Sequence, residues 1–295
     1  MAGFERIAGR TWVLRGPANV GLHELGEGRA VLVDAANDDD GGRRLLKACA
    51  AQGLACAVIA NTHSNADHCG GNAFIQARTG CRIAATPVEA AFIETPVLEP
   101  SYLWGGFPLP ALRNKFLMAK PSRVTDRFEA PGPVPGTELQ AVPLPGHFFG
   151  MVGFMTPDRV FFAADAVAGP EILSKYHVFY YYDIAEQLRT LDLLAALEAD
   201  WVVPSHAAPT QDIRPLVAQN RAKILEIAEV VRDACAGAAT PDDLLAGLCA
   251  RYGIELNAAQ YVLVGSTLRS YLAWLVDRQE VAVAFEAGRM RIHRV

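Results

Sequence analysis

The chain has 295 residues, 51% of them hydrophobic and 20% charged, with a formal net charge of −5. That is apolar material enough for one large domain or one with a small appendage, and the acidic balance offers no broad field to a nucleic acid. No apolar run approaches a membrane span, no charged-then-apolar leader opens the chain, and the cysteines (49, 56, 69, 81, 235 and 249) form no close pair of metal or redox type; a reduced, cytoplasmic setting is expected.

Residues 11–15 and 20–25 alternate in hydropathy as strands do. Gly26-Glu27-Gly28 then turns the chain into the apolar run Ala30-Val31-Leu32-Val33, which ends in Asp34. Asp38-Asp39-Asp40 reads as a solvated turn capping a helix over residues 43–52, not as a cation site. The run 55–60 has the length and composition of a buried strand. It leads into Asn61-Thr62-His63-Ser64-Asn65-Ala66-Asp67-His68-Cys69-Gly70-Gly71-Asn72. Two imidazoles and a carboxylate within six residues are what zinc, iron or manganese takes from a protein. On extended backbone His63 and Asn65 point one way, while Asp67 and His68 face another, so a single loop has donors enough to serve two neighbouring cations. The bland alternative is a polar strand-to-helix turn with surface histidines. Cys69 reads as a small packed residue.

A short helix over residues 73–78, closed by Gly80, and a strand over 81–85 follow. Residues 94–121 differ in character, being proline-rich and carrying Tyr102, Trp104, Phe107 and Phe116. An excursion of that length in a compact domain is a lid or is disordered, and the aromatic density argues against disorder. The expectation is a partly helical flap beside the site, with those four rings facing a substrate; a surface helix pair at an oligomer interface is the alternative. Residues 139–144, 151–155 and 159–164 read as strands, the second pair joined by a Pro157-Asp158 turn. Gly146-His147 lies between the first two, and the third ends in Asp165. A helix over 188–197 precedes a short strand, 201–204, that ends in Ser205-His206. His23, His177 and His293 read as structural or exposed, and the Tyr180-Tyr181-Tyr182 run as half-buried packing.

Five apolar runs thus end in a metal donor: Asp34, His63, His147, Asp165 and His206. Sites in layered α/β proteins gather where strand ends converge, and this repetition points to one assembled centre. These residues resemble the metallo-β-lactamase-fold hydrolases, a superfamily that includes glyoxalase II-type thioesterases, lactonases, phosphodiesterases and β-lactamases. The resemblance covers roughly residues 10–210. It rests on Thr62-His63-Ser64-Asn65-Ala66-Asp67-His68, Gly146-His147, Ala164-Asp165 and Ser205-His206, four motifs in the family's order. It implies an αββα sandwich over residues 1–213, with metals at one edge of two sheets. It also implies a first cation on His63, His147 and the bridging Asp165, a second on Asp67, His68, His206 and Asp165, and a supporting role for Asp34. Asn65 stands where the family has a second histidine. Its neutral amide oxygen is a weak ligand, so one or two divalent ions are expected, zinc foremost, with iron or manganese as alternatives.

The function this implies is hydrolysis of a small-molecule ester, thioester, lactone or phosphoester with an apolar portion, by a cation-activated water that Asp67 orients. A second reading follows from Asn65. His63, His147 and Asp165 form the two-histidine, one-carboxylate set of a mononuclear Fe(II) oxygenase, which persulfide dioxygenases of the same superfamily use. A third is an inactive metal-binding scaffold.

From residue 214 the sequence predicts a helix to 234, a second helix over 244–251 behind Thr240-Pro241, a third from Asn257 to about 277, and a hairpin over 281–293. Helix, helix and hairpin resemble a winged-helix unit appended to some members of the superfamily. Over residues 216–295 its charges balance, so packing on the main domain, closure of the cleft or a homodimer contact is expected in place of nucleic-acid binding.

Overall fold

The computed structural model describes residues 3–295. Its first sheet takes seven strands in sequence order: β1 (Glu5–Ala8), β2 (Thr11–Leu14), β3 (Val20–Gly26), β4 (Arg29–Val33), β5 (Ala55–Ala60), β6 (Arg82–Ala85) and β7 (Asp126–Arg127). The strands pair antiparallel as far as β4, and from there α1 (Asp39–Ala51) carries the chain over to a parallel β5. Asp38 caps α1 by accepting from Gly41 N at 3.0 Å, so the acidic run is the helix cap that its composition suggests. Four short helices follow: α2 (Ala66–Cys69), α3 (Asn72–Thr79), α4 (Pro87–Glu94) and α5 (Leu98–Trp104).

The second sheet contains β8 (Gly132–Pro133), β9 (Gln140–Pro143), β10 (Val152–Met155), β11 (Val160–Ala168) and β12 (Trp201–His206), in the order β12-β11-β10-β9-β8. Val31, Val33, Val58 and Ala60 of the first sheet pack against Phe154, Val160, Phe162 and Val203 of the second. The alternate residues Leu32 and Ile59 face outward onto Leu45 of α1 and Ile75 of α3. Both faces of β4 and β5 are therefore buried, which explains their unbroken apolar runs; each such side chain contributes about 1.5–3 kcal/mol.

The second sheet is covered by α6 (Pro170–Tyr176), α7 (Ile184–Ala195) and α8 (Arg214–Ala234), completing an αββα sandwich. Beyond it lie α9 (Pro241–Tyr252), α10 (Ala258–Asp277) and the hairpin of β13 (Val281–Glu286) and β14 (Arg289–Arg294). This extension shares one continuous core with the sheet: Phe161 and Ala163 of β11 belong to the same cluster as Val217, Ile224, Tyr271 and Ile292. Buried Asn220 of α8 bonds both backbone groups of Ala168 at the end of β11, each at 2.9 Å. Leu103, Leu112 and Leu117 of the aromatic flap pack on Val262 of α10, while Lys115 and Lys120 reach Asp38 and Asp39 at the start of α1. The flap is thus pinned at both sides. Among the described residues no helix is long and apolar enough to cross a membrane.

Several boundaries differ from expectation; α7 starts at Ile184 behind its Asp183 cap and α9 at Pro241. α1 starts at Asp39 because its cap lies earlier than the apolar pattern. β11 does not end before Asp165 but runs through it to Ala168; its pairing with β12 shifts register around Ala164, whose φ is +48°. Such a bulge turns a residue of a continuing strand toward a site.

Candidate metal centre

Strand ends bring the donors together. Asp34 follows β4, His63 follows β5, Asp67 and His68 sit on α2, His147 lies between β9 and β10, Asp165 is in β11, and His206 closes β12. Two glycine-dependent turns help. At Gly146 φ is +125°, and a Cβ there would lie 2.4 Å from the Gln187 backbone; at Gly70 one would lie 1.9 Å from Asn37 O. Neither position admits a side chain, so the loops carrying His147 and His68 approach their neighbours closely.

Each of the four imidazoles is tied down through Nδ1. His147 Nδ1 donates to Tyr180 O at 2.9 Å and His206 Nδ1 to Pro17 O at 2.7 Å. Asp34 Oδ2 accepts from His68 Nδ1 and from Thr62 Oγ1, both at 2.8 Å, and its Oδ1 accepts from Thr62 N at 2.8 Å. Having given its proton to Asp34, the Thr62 hydroxyl accepts from His63 Nδ1 at 3.0 Å. One carboxylate therefore sets the tautomer of two histidines. All four Nε2 atoms are left facing inward.

There the donors converge. His68 Nε2 lies 3.2 Å from Asp165 Oδ1, and His206 Nε2 lies 3.2 Å from Asp165 Oδ2 and 3.3 Å from Asp67 Oδ2. His147 Nε2 lies 3.7 Å from Asp165 Oδ2 and 3.1 Å from Asn65 Oδ1. His63, His68 and Asp165 form one set of donor atoms within 4.8 Å of one another, and Asp67, His68 and His206 a second. His63 Nε2, His68 Nε2 and Asp165 Oδ1 are buried with no hydrogen-bond partner. Buried polar atoms are almost always satisfied, so orphaned lone pairs aimed at one point fit a divalent cation.

The electrostatics agree. Burial works against charged rings at His206 and His68, yet Asp165 and Asp67 overcome it, lifting His206 to about 10 and His68 well above its usual range. Burial and the neighbouring His68 hold His63 well below. Burial alone would raise Asp165, but His206 and His68 pull it far down. This is a centre that demands positive charge.

The flap candidates divide. Tyr102 packs on Phe149 with ring centroids 5.0 Å apart, and its hydroxyl lies 3.5 Å from that of Tyr180, the residue whose carbonyl holds His147. Trp104 joins it on a groove shared with Tyr182, Ser266 and Arg269. Phe107 and Phe116 are 74% and 68% exposed and contact Arg113 and Lys115. Tyr181 is fully buried, and His23 is a buried structural residue bonded to Thr11. His177 stacks on Tyr252, and all six cysteines are free and buried.

Two acidic residues had gone unnoticed. Glu89 of α4 accepts from Ser64 N and Oγ and from Gly150 N at 2.6–2.8 Å, fastening the histidine loop to the loop of His147; burial lifts its carboxyl to about 7 against the pull of those donors. Glu99 of α5 accepts from Asn65 Nδ2 at 2.9 Å. For Glu89 a signal existed, a lone carboxylate in the apolar run Val88 to Ile93. Glu99, in a loop-like stretch beside Pro100, carried none.

The family description "Metallo-beta-lactamase superfamily" matches residues 13–206. A metallo-beta-lactamase family protein from Thermus thermophilus has a TM-score of 0.76 at 21% identity, over 97% of this chain and 99% of that one. A beta-lactamase domain protein from Burkholderia ambifaria gives 0.78 at 21%, over 99% and 94%. Both spans include the carboxy-terminal extension. A metallo-beta-lactamase from Pontibacter korlensis aligns over 76% of this chain and 99% of its own, with a TM-score of 0.56 and 14% identity. At such identities these likenesses speak for the fold. A search of curated proteins finds no significant match.

Proposed function

The chain belongs to the metallo-β-lactamase superfamily, and from that premise we propose that it is a metal-dependent hydrolase of an ester, thioester, lactone or phosphoester with an apolar portion. His63, His147 and Asp165, with Asn65 as a weak fourth donor, hold a first divalent cation, zinc foremost; Asp67, His68, His206 and Asp165 hold a second. The observation that carries this reading is the convergence of His63, His68 and Asp165, and of Asp67, His68 and His206, around buried atoms without partners, with His147 Nε2 3.7 Å from Asp165 Oδ2. A bound divalent cation supplies Lewis acidity and lowers the pKa of a water from about 16 to near 7. Asp67, 41% exposed where Asp165 is 6%, is the carboxylate that solvent reaches; it orients the attacking water. We assign Tyr102 and Trp104, which line one groove with Tyr182 and Ser266, to the apolar portion of the substrate.

Asn65 favours a second reading, a mononuclear iron oxygenase on His63, His147 and Asp165. The mutual approach of Asp67, His68 and His206 supports the hydrolase instead, because such a centre needs none of the three. The test is a panel of chromogenic esters, thioesters, lactones and phosphodiesters, with metal-free protein reloaded with zinc, manganese or iron. Chelator-sensitive turnover of one class is expected. No turnover with any metal, or oxygen uptake with a persulfide on iron loading, would overturn it.

A further inference from the structure

Asn65 interrupts a histidine pattern, and its surroundings account for the exchange. Its Nδ2 donates to Glu99 Oε1 at 2.9 Å, which leaves Oδ1 at 3.1 Å from His147 Nε2. A carboxylate only accepts, so it selects which end of the amide faces it. His147 donates its Nδ1 proton to Tyr180 O, so its Nε2 presents a lone pair. Two acceptors face each other at hydrogen-bond distance, an arrangement that calls for a positive charge against both. Glu99 is 6% exposed, and no lysine or arginine stands among the charges that act on it most strongly. A buried carboxylate without a cationic partner is costly. A cation on the far side of the Asn65 amide would supply one.

Resting on the first cation position proposed above, we infer that Glu99 is a positioning residue, which locks the Asn65 oxygen inward and strengthens it as a ligand. Negative charge behind the N–H end of an amide moves electron density toward its oxygen, as the carboxylate behind a ligating histidine raises that ring's basicity. The Asn65–Glu99 pair thus does from two elements, α2's leading edge and the flap helix α5, what a second imidazole does alone.

The experiment is a Co(II) titration of the metal-free full chain, followed by visible absorption, with wild type expected to take up two equivalents. Glu99→Gln should weaken the first equivalent by about 10–100-fold, alter its absorption band, leave the second unchanged, and not lower the Tm of the metal-free protein. In an Asn65→Ala background Glu99→Gln should have no further effect. Wild-type uptake of both equivalents by Glu99→Gln, an equal loss in the Asn65→Ala background, or a fall in metal-free Tm matching the affinity loss would overturn the role. If Glu99→Gln does not fold, Glu99→Asp, which withdraws the carboxylate, must show the same selective weakening, and unchanged binding overturns it. Wild type binding no Co(II) at all would refute the metal centre itself, a result distinct from the others.

Discussion

Asp34→Asn isolates the carboxylate that orders two histidines at once. Asparagine has the same volume and tolerates the left-handed backbone at this position, where φ is +68°. Asp34 Oδ2 accepts from both His68 Nδ1 and Thr62 Oγ1. With Oδ1 kept on Thr62 N, an amide nitrogen would meet those two donors with protons of its own. His68 must then move its proton to Nε2, pointing it at Asp165 Oδ1 3.2 Å away. The Thr62 hydroxyl, no longer donating to Asp34, is free to donate to His63 Nδ1 and invert that ring as well. Losing a hydrogen bond to a charged group costs about 1.5–3 kcal/mol. Loss of a partner behind a metal-bound histidine costs about 10–100-fold in affinity, or roughly 1.4–2.7 kcal/mol. The two routes agree on about 2 kcal/mol, so each cation equivalent should weaken by about 30-fold. Competition against a chromogenic chelator measures both equivalents, and nitrogen-15 NMR of the imidazoles reads the tautomers. Affinities within about threefold of wild type (~0.7 kcal/mol), with Nε2 unprotonated in His63 and His68, would refute the reasoning.

Three further outcomes are expected. Asp67→Asn should lower kcat on the reloaded enzyme by about 10²-fold, the order that a misplaced reacting group costs; an unchanged kcat with the substrate found in the panel counts against its role. In the metal-free protein His206 is lifted to about 10, so its stabilising contribution is complete below the ordinary histidine pKa of about 6.5 and is lost as pH rises through about 10. Metal-free Tm should therefore fall across that interval and the slope should flatten in His206→Gln; identical profiles would contradict it. Asn220→Ala strips partners from the buried N–H and C=O of Ala168, at about 1–3 kcal/mol each. The urea midpoint of the metal-free protein should drop accordingly, and an unchanged midpoint would argue that water replaces the amide.

The sandwich was legible because buried strands announce themselves as apolar runs and because each run of interest stops at a polar donor. Helix caps at Asp38, Thr240 and Asn257 were legible for the same local reason. Asp165 was placed at a strand end when it lies inside one, since a bulge depends on the neighbouring strand and leaves no mark in the residue pattern. The carbonyls of Pro17 and Tyr180, which orient His206 and His147, were invisible: every residue has a carbonyl, and only tertiary packing selects two of them. Glu99 was hidden likewise, since its partner lies 34 residues away.

The family signature stops at residue 206, on the last donor, whereas the apolar core runs on to Ile292. The stretch that carries the candidate donors is therefore shorter than the stretch that shares the core. A chain severed just after His206 would keep every candidate donor, with α6 and α7, yet lose α8 and α10 from the outer wall of the second sheet, wetting part of the core behind β11. The solvent face of α8, α9 and α10 bears on none of these donors, whereas their buried face closes the core behind β11.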